Sequence, residues 1–152
     1  MESIKVNLND VINTLRKNNQ NEPRRGKHVL RVTPPYSDVS TAQTHFSERG
    51  RHYVGDAPYP IHISPECFVT GDQEGYASYK WKSQYNFPSE HESKSIYENE
   101  ADDGVEWEDW WQESIEMWER EIRHAIGNTD TISFRPDEVD DDAINIPIEI
   151  VG

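Results

Sequence analysis

Between Asp103 and Gly127 the apolar residues recur at helical spacing. Trp107, Trp111, Ile115, Trp118, Ile122, Ala125 and Ile126 fall within one arc when residues are placed at about 100° each. Trp110, Ser114 and Met117 widen that arc to about half the cylinder, more than a surface helix needs. The opposite face carries Glu108, Asp109, Glu113, Glu116, Glu119, Arg120 and Arg123, with Glu116–Arg120 and Glu119–Arg123 in the favourable i,i+4 order. Asp103 followed by Glu106 resembles a capping box, and Gly127-Asn128 supplies the residues of a left-handed exit. Glu121 falls inside the apolar arc. The pattern predicts a core helix laid on a sheet; the competing reading is a tryptophan-rich groove for a partner helix.

The other periodic stretches are shorter. Ile4, Val6 and Leu8 alternate as in a strand, and Asn9 is placed to cap a helix over Asp10–Lys17 with Val11, Ile12 and Leu15 inward. KNNQNEPRRGK, 17–27, reads as a polar connection. HVLRV, 28–32, reads as a strand ended by Thr33-Pro34-Pro35. TAQTHFS, 41–47, and RHYV, 51–54, flank Glu48-Arg49-Gly50 as a hairpin would. PYPIHIS, 58–64, is a further strand, and Ser64-Pro65-Glu66 opens a short helical turn with Cys67, Phe68 and Val69. In EGYASYKWKSQYNF, 74–87, Tyr79, Trp81, Tyr85 and Phe87 alternate with polar residues at a strand period. Ser89 with Glu92 is a second capping pair, opening a polar helical segment towards Ala101. TISF, 131–134, and INIPIEIV, 144–151, close the chain as strands, with Pro147 expected at an edge or bulge.

This order predicts an α+β fold: a small, mostly antiparallel sheet packed against one long tryptophan-rich helix, plus a short N-terminal helix. The 152 residues fit one domain, 1–152, with mobile polar connections near 18–27 and 88–103. Hydrophobic content of 34% and mean hydropathy of −0.94 imply a small core and long loops. A single cysteine, Cys67, excludes an internal disulfide and fits a reducing compartment. With no signal-peptide pattern and no apolar run of membrane-spanning length, the expected location is the cytoplasm, with no membrane partner.

Charge changes the picture most. The formal net charge is −14, from 29 acidic and 15 basic residues, and only six of the basic residues are lysines. Residues 1–60 hold nine basic and six acidic side chains (+3), and residues 61–152 hold six and twenty-three (−17). Such a surface repels itself in dilute buffer, but at molar salt the Debye length falls to about 3 Å and the repulsion largely disappears. The composition therefore points to a salt-in cytoplasm, with phosphate mimicry as an alternative source of the same acidity.

VLRVTPPYS at 29–37, HYVGDAPYPIHISPE at 52–66 and the W-x-R-x-I-R-x-A-I pattern at 118–126 resemble a family of small acidic haloarchaeal proteins. The similarity runs in order over most of the chain. It implies compartment and fold more than function, because that family has no assigned activity. Where the family carries arginines after its T-P-P-F-S motif, this chain has Asp38, Val39, Ser40, Thr41, Ala42, Gln43 and Thr44, which puts any contact made by those arginines in doubt. Ten asparagines and this divergence also suit a virus or plasmid gene.

Candidate chemistry is sparse. There is no GxGxxG, Walker loop, HExxH or CxxC. His45, His52, His62 and Cys67 lie in neighbouring predicted elements, but their spacing is not a zinc signature, and Cys67 lies in an apolar stretch that favours an inert thiol. No catalytic residue, metal or cofactor is assigned. The expected function is a non-enzymatic protein-interaction or accessory module with an unidentified protein partner. The alternatives are an acidic DNA mimic and a nucleic-acid-associated protein. The latter would use Arg24, Arg25, Lys27, Arg31, Arg49 and Arg51 with Lys80, Trp81 and Lys82, where lysines meet phosphates and the indole stacks on bases. Oligomeric state is not legible.

Overall fold

The computed structural model describes residues 1–20, 26–48, 59–72, 85–135 and 142–152. It is α+β. The elements in order are β1 (Ser3–Asn7), α1 (Leu8–Gln20), β2 (Gly26–Val32), β3 (Val39–Thr41), β4 (Gln43–Glu48), β5 (Ile61–Ile63), α2 (Cys67–Thr70), α3 (Glu90–Glu100), α4 (Trp107–Gly127), β6 (Thr131–Phe134) and β7 (Ile144–Val151). The strands are divided between two sheets: a mixed four-stranded sheet in the order β3-β1-β7-β6, and an antiparallel three-stranded sheet in the order β4-β2-β5.

The division turns on Ala42. The run expected as one strand over 41–47 is broken there into β3, which pairs parallel with β1, and β4, which pairs antiparallel with β2. Ala42 is 1% exposed, and its N–H donates to Lys5 O at 2.8 Å, so this single residue passes the chain from one sheet to the other. The second arm of the expected hairpin, 51–54, lies outside the described residues.

Helix α1 starts two residues earlier than Asn9 would place it. The Oδ1 of Asn7 accepts from Asn9 N at 2.8 Å and Asp10 N at 3.3 Å, so Asn7 is the capping residue. The helix also runs on to Gln20, through the first part of the expected connection. It packs against β1 of one sheet and β2 and β4 of the other, and buries Val11, Ile12 and Leu15. At its far end the Asn18 amide donates to His28 O and accepts from His28 N, both at 2.8 Å. That amide thus satisfies β2 just before β5 begins to pair with it at Leu30.

Pro147 is not on an edge strand, because β7 lies between β1 and β6. It stands opposite Thr131, one residue before pairing with β1 begins at Ile148. Ile148 N donates to Asp130 O at 2.9 Å, so by strand alternation position 147 turns away from β6, where no ladder bond is lost.

Helix α4 starts at Trp107, after a turn in which Val105 N donates to Asp102 O and Gly104 adopts φ +92°. The Asp103–Glu106 box does not form: Glu106 is the capping residue and makes no side-chain cap bond. The left-handed exit is also absent. Gly127 remains helical, and Asn128 has φ −94°. Thr129 replaces that exit, donating from its N–H to Ile126 O and from its hydroxyl to Ala125 O. Glu121 is exposed, which settles its place on the edge of the apolar arc.

The core combines Ile4 and Val6 of β1, the inner face of α1, Leu30, Val32, Ile61 and Ile63 of the three-stranded sheet, and Cys67 and Phe68. It is completed by Ile132, Phe134 and Ile146, and by Trp118, Ile122, Ala125 and Ile126 of α4. Only the C-terminal half of α4 therefore reaches the core. Among the described residues no helix is long and apolar enough to cross a membrane.

Candidate interaction surfaces

The N-terminal half of α4 turns its tryptophans towards α3 instead. Tyr97 meets Trp107 and Trp110 edge-on at 5.5 and 5.7 Å, and Trp107 stacks on Trp111 at 5.7 Å. Phe87 bridges Trp111 at 6.3 Å and Trp118 at 5.0 Å. The Lys94 ammonium lies 5.3 Å from the Trp107 ring. The result is a continuous aromatic seam that holds α3 and the 85–88 segment to α4. At its inner end the buried Trp118 indole donates to Tyr85 O at 3.0 Å.

Within segment 88–103, expected as a polar connection, the helical stretch expected after the Ser89–Glu92 pair is present: it runs from Glu90 to Glu100, and Ser89 caps it by accepting from Glu92 N at 3.3 Å. No residue from 90 to 117 is buried, although all 28 are described. Those 28 positions carry eleven acidic side chains and one lysine, a net −10 of the chain's −14. Ile96, Val105 and Met117 stand 48%, 38% and 57% exposed within it. The helical hairpin therefore presents apolar side chains set among carboxylates.

Two α1 side chains anchor α4. Arg16 lies 3.3 Å from Glu119 and 6.0 Å from the Trp118 ring, and Asn9 accepts from Arg123, which also reaches Glu119 at 3.0 Å. These are partly exposed pairs and contribute about 0–1 kcal/mol each.

Of the residues predicted to contact nucleic acid or a partner, Lys27 and Arg31 are described; Arg24, Arg25, Arg49, Arg51, Lys80, Trp81 and Lys82 lie outside the described residues. So does most of the alternating 74–87 run. Its end is not a strand, but the alternation persists: Tyr85 is buried, Asn86 exposed and Phe87 half-buried. Lys27 borders a cleft of about 220 Å³ with Asn18, Asn19, His28, Ser64, Pro65 and Glu66. Burial raises the Glu66 carboxyl above its ordinary range, opposed by a bond from its own backbone N–H and by the charge of Lys27.

Arg31 lies further along the same, outer face of the three-stranded sheet. One of its terminal nitrogens is 3.3 and 3.4 Å from the two ring nitrogens of His45. The Arg31 guanidinium is thus within hydrogen-bonding reach of the His45 ring. His45 in turn stacks on His62 at 5.1 Å, and Ser47 Oγ lies 3.4 Å from His62 Nδ1. Burial, then the charges of His45 and Arg31, push the His62 pKa down to about 4. Sequence reasoning placed Arg31 among binding residues and the two histidines in a metal quartet. The strand register that joins them was not readable, because β4 and β5 pair with β2 rather than with each other.

The three described members of the metal quartet do not converge. Among the described residues no group of three potential ligands converges. His45 and His62 stack on the outer sheet face, whereas Cys67 is buried in the core with its thiol 3.6 Å from Ser133 O; His52 is outside the described residues. Burial, reinforced by Asp72 and Glu66, pushes the Cys67 thiol up to about 12, so it is neither a ready ligand nor a nucleophile.

Residues 1–147 match the model of a domain of unknown function, DUF8009, and the chain belongs to that family. No curated protein and no solved structure matches it.

Proposed function

For this member of a family of unknown function, we propose a non-enzymatic protein-interaction or accessory module working in the cytoplasm of a salt-in, halophilic cell. Its working surface is the α3–α4 hairpin, and its partner is a protein with a basic face and apolar sockets. One observation carries the reading: 28 consecutive residues, α3, the turn and the N-terminal half of α4, bury nothing in the core yet hold a defined shape through their own aromatic seam. A helix with no buried residue adds little to the stability of the fold. What it adds is a rigid display of Ile96, Val105 and Met117 among eleven carboxylates. Apolar anchors ringed by polar side chains are the anatomy of an interface. At high salt the carboxylates lose most of their long-range pull, so the apolar anchors supply affinity and the charges exclude acidic competitors. The low lysine count and the −14 charge support the halophilic setting.

The test is affinity capture from a halophilic host at high salt, with and without nuclease, using the wild-type chain and an Ile96→Glu/Met117→Glu variant. A protein retained after nuclease treatment by the wild type, and lost from a variant with an unchanged circular dichroism spectrum, supports the reading. Equal capture by both, or a captured partner that disappears with nuclease, overturns it.

A further inference from the structure

Helix α3 is a poor match for the surface it covers. Its 11 residues, Glu90–Glu100, are almost all polar, and the element they pack against is α4. On the α4 side stand Trp107, Trp110 and Trp111, all half-buried. A large aromatic side chain offers about 150–250 Å² to bury. Against these three rings α3 sets one ring, Tyr97, and one ammonium, that of Lys94 at 5.3 Å from Trp107. Its other large apolar side chain, Ile96, is 48% exposed.

The charges are mismatched as well. α3 carries Glu90, Glu92, Glu98 and Glu100 against a single lysine. The N-terminal half of α4 carries Glu108, Asp109, Glu113 and Glu116, and no basic residue stands among positions 107–117. Among the described residues no ion pair joins the two helices. Two helices of like charge therefore lie side by side, held by the aromatic seam and by the bond from the Tyr97 hydroxyl to Val105 O. A helix of this length is marginal on its own, so a better-matched helix can take the place of α3.

We infer that the tryptophan face of α4 is a docking site for a basic amphipathic helix of a partner protein, and that α3 occupies this site in the free chain. The contacts of α3 indicate the chemistry of its replacement. An apolar anchor takes the place of Tyr97 between Trp107 and Trp110, and anchors at helical spacing continue to Trp111. A cation one turn before the first anchor takes the place of Lys94 over Trp107. Further basic side chains meet the carboxylates that repel α3. This site lies on the inside of the hairpin and goes beyond the outer anchors. Displacing α3 carries Ile96 away from Met117, so the two surfaces serve alternative bound states.

The experiment uses the full chain and a synthetic leucine–lysine peptide of about 18 residues, long enough to form a helix, with leucines along one face. The control has the same composition with the leucines scattered around the helix. Binding is followed by tryptophan fluorescence and amide exchange at constant ionic strength. Docking on the inner face should speed exchange over Glu90–Glu100 as α3 leaves, whereas a partner seated on the outer anchors would slow it. Tyr97→Ala should tighten peptide binding at least ten-fold, because displacement of α3 no longer lowers the apparent affinity. Should this variant fail to fold, Ser95→Pro, at an exposed position inside α3, breaks that helix and should tighten binding likewise. Saturable binding of the amphipathic peptide alone, with faster α3 exchange and tighter binding to the variant, supports the assignment. No saturable binding, equal binding of the control, α3 exchange that does not rise, or binding no tighter to the folded variants would overturn it. Either result leaves the outer anchors to be judged by the Ile96→Glu/Met117→Glu capture.

Discussion

Tyr97 is the latch of the helical hairpin, and removing it should release α3 without unfolding the protein. The side chain is half-buried, edge-on to Trp107 and Trp110, and its hydroxyl donates to Val105 O across the turn. Half of an aromatic's surface at about 25 cal/mol per Å² is worth about 2.5 kcal/mol. Two edge contacts add roughly 1–2 kcal/mol, and the hydrogen bond about 1 kcal/mol net. The latch therefore amounts to about 4.5–5.5 kcal/mol. Against it stands the cost of ordering an 11-residue helix, a length that is marginal in isolation. In Tyr97→Ala the Lys94–Trp107 contact remains, worth about 0.5–1 kcal/mol at an exposed site, which is too little to hold the helix. The described helices hold 13, 4, 11 and 21 residues, so loss of α3 should remove about a fifth of the helical circular dichroism. Amide exchange should accelerate over Glu90–Glu100 alone, with Tm lowered by less than about 4 °C because the main core is untouched. If α3 amides keep their protection, or if Tm falls far beyond that value with exchange rising everywhere, the hairpin belongs to the cooperative core and the reasoning fails.

Other outcomes follow from single groups. Trp118→Phe keeps most of the ring but leaves Tyr85 O without its indole donor, so thermal denaturation should report a loss of about 1–3 kcal/mol. Folded Cys67 should resist iodoacetamide at pH 8, and labelling should track global unfolding. Its raised pKa means that unfolding releases a proton above the ordinary thiol value of 9.0, so stability is full below that pH and declines towards about 12; Cys67→Ser should flatten that decline. His62 has the opposite sign. Its folded pKa of about 4 lies below the ordinary 6.5, so its contribution is full above pH 6.5 and is lost as pH falls towards 4; an acid-stability profile that is unchanged in His62→Gln would refute this.

The half of α4 that meets the core was legible because Trp118, Ile122, Ala125 and Ile126 repeat at helical spacing and form the face buried in the core. The same periodicity in Trp107, Trp110 and Trp111 was equally clear but did not say what those rings touch. Amphipathic spacing gives the direction of a face and not its partner, and here the partner is Tyr97 of a helix whose own sequence is almost wholly polar. Ala42 was opaque for a related reason. Strand propensity is local, whereas the choice between two sheets depends on β1, about forty residues earlier in the chain. The Asn7 cap was misplaced by two residues because Asn7 and Asn9 are chemically the same and only the end of β1 decides between them. The Arg31–His45–His62 cluster needed the register of three strands, which no residue pattern supplies.

Where the acids lie bears on why the chain is acidic. A surface adapted only to stay hydrated in salt gains most by spreading its carboxylates, because concentrating like charge costs stability whenever salt falls. This chain does the opposite: residues 90–117 carry −10, and the remaining 124 residues together carry −4. The proposed interface would account for this uneven placement, which uniform adaptation alone does not. The consequence is measurable in a variant with Glu108→Gln, Asp109→Asn, Glu113→Gln and Glu116→Gln, all at exposed helix positions. Relief of repulsion among four carboxylates and their neighbours should stabilise the variant in low salt, with amide exchange over α3 and α4 slowing first. At molar salt the two proteins should converge as the Debye length shrinks to about 3 Å. If the proposed interface is right, the proteins captured at high salt should nevertheless change to include acidic ones, because the variant loses the charges that exclude them while the apolar anchors remain. Convergence of stability with unchanged capture would assign these acids to salt tolerance alone.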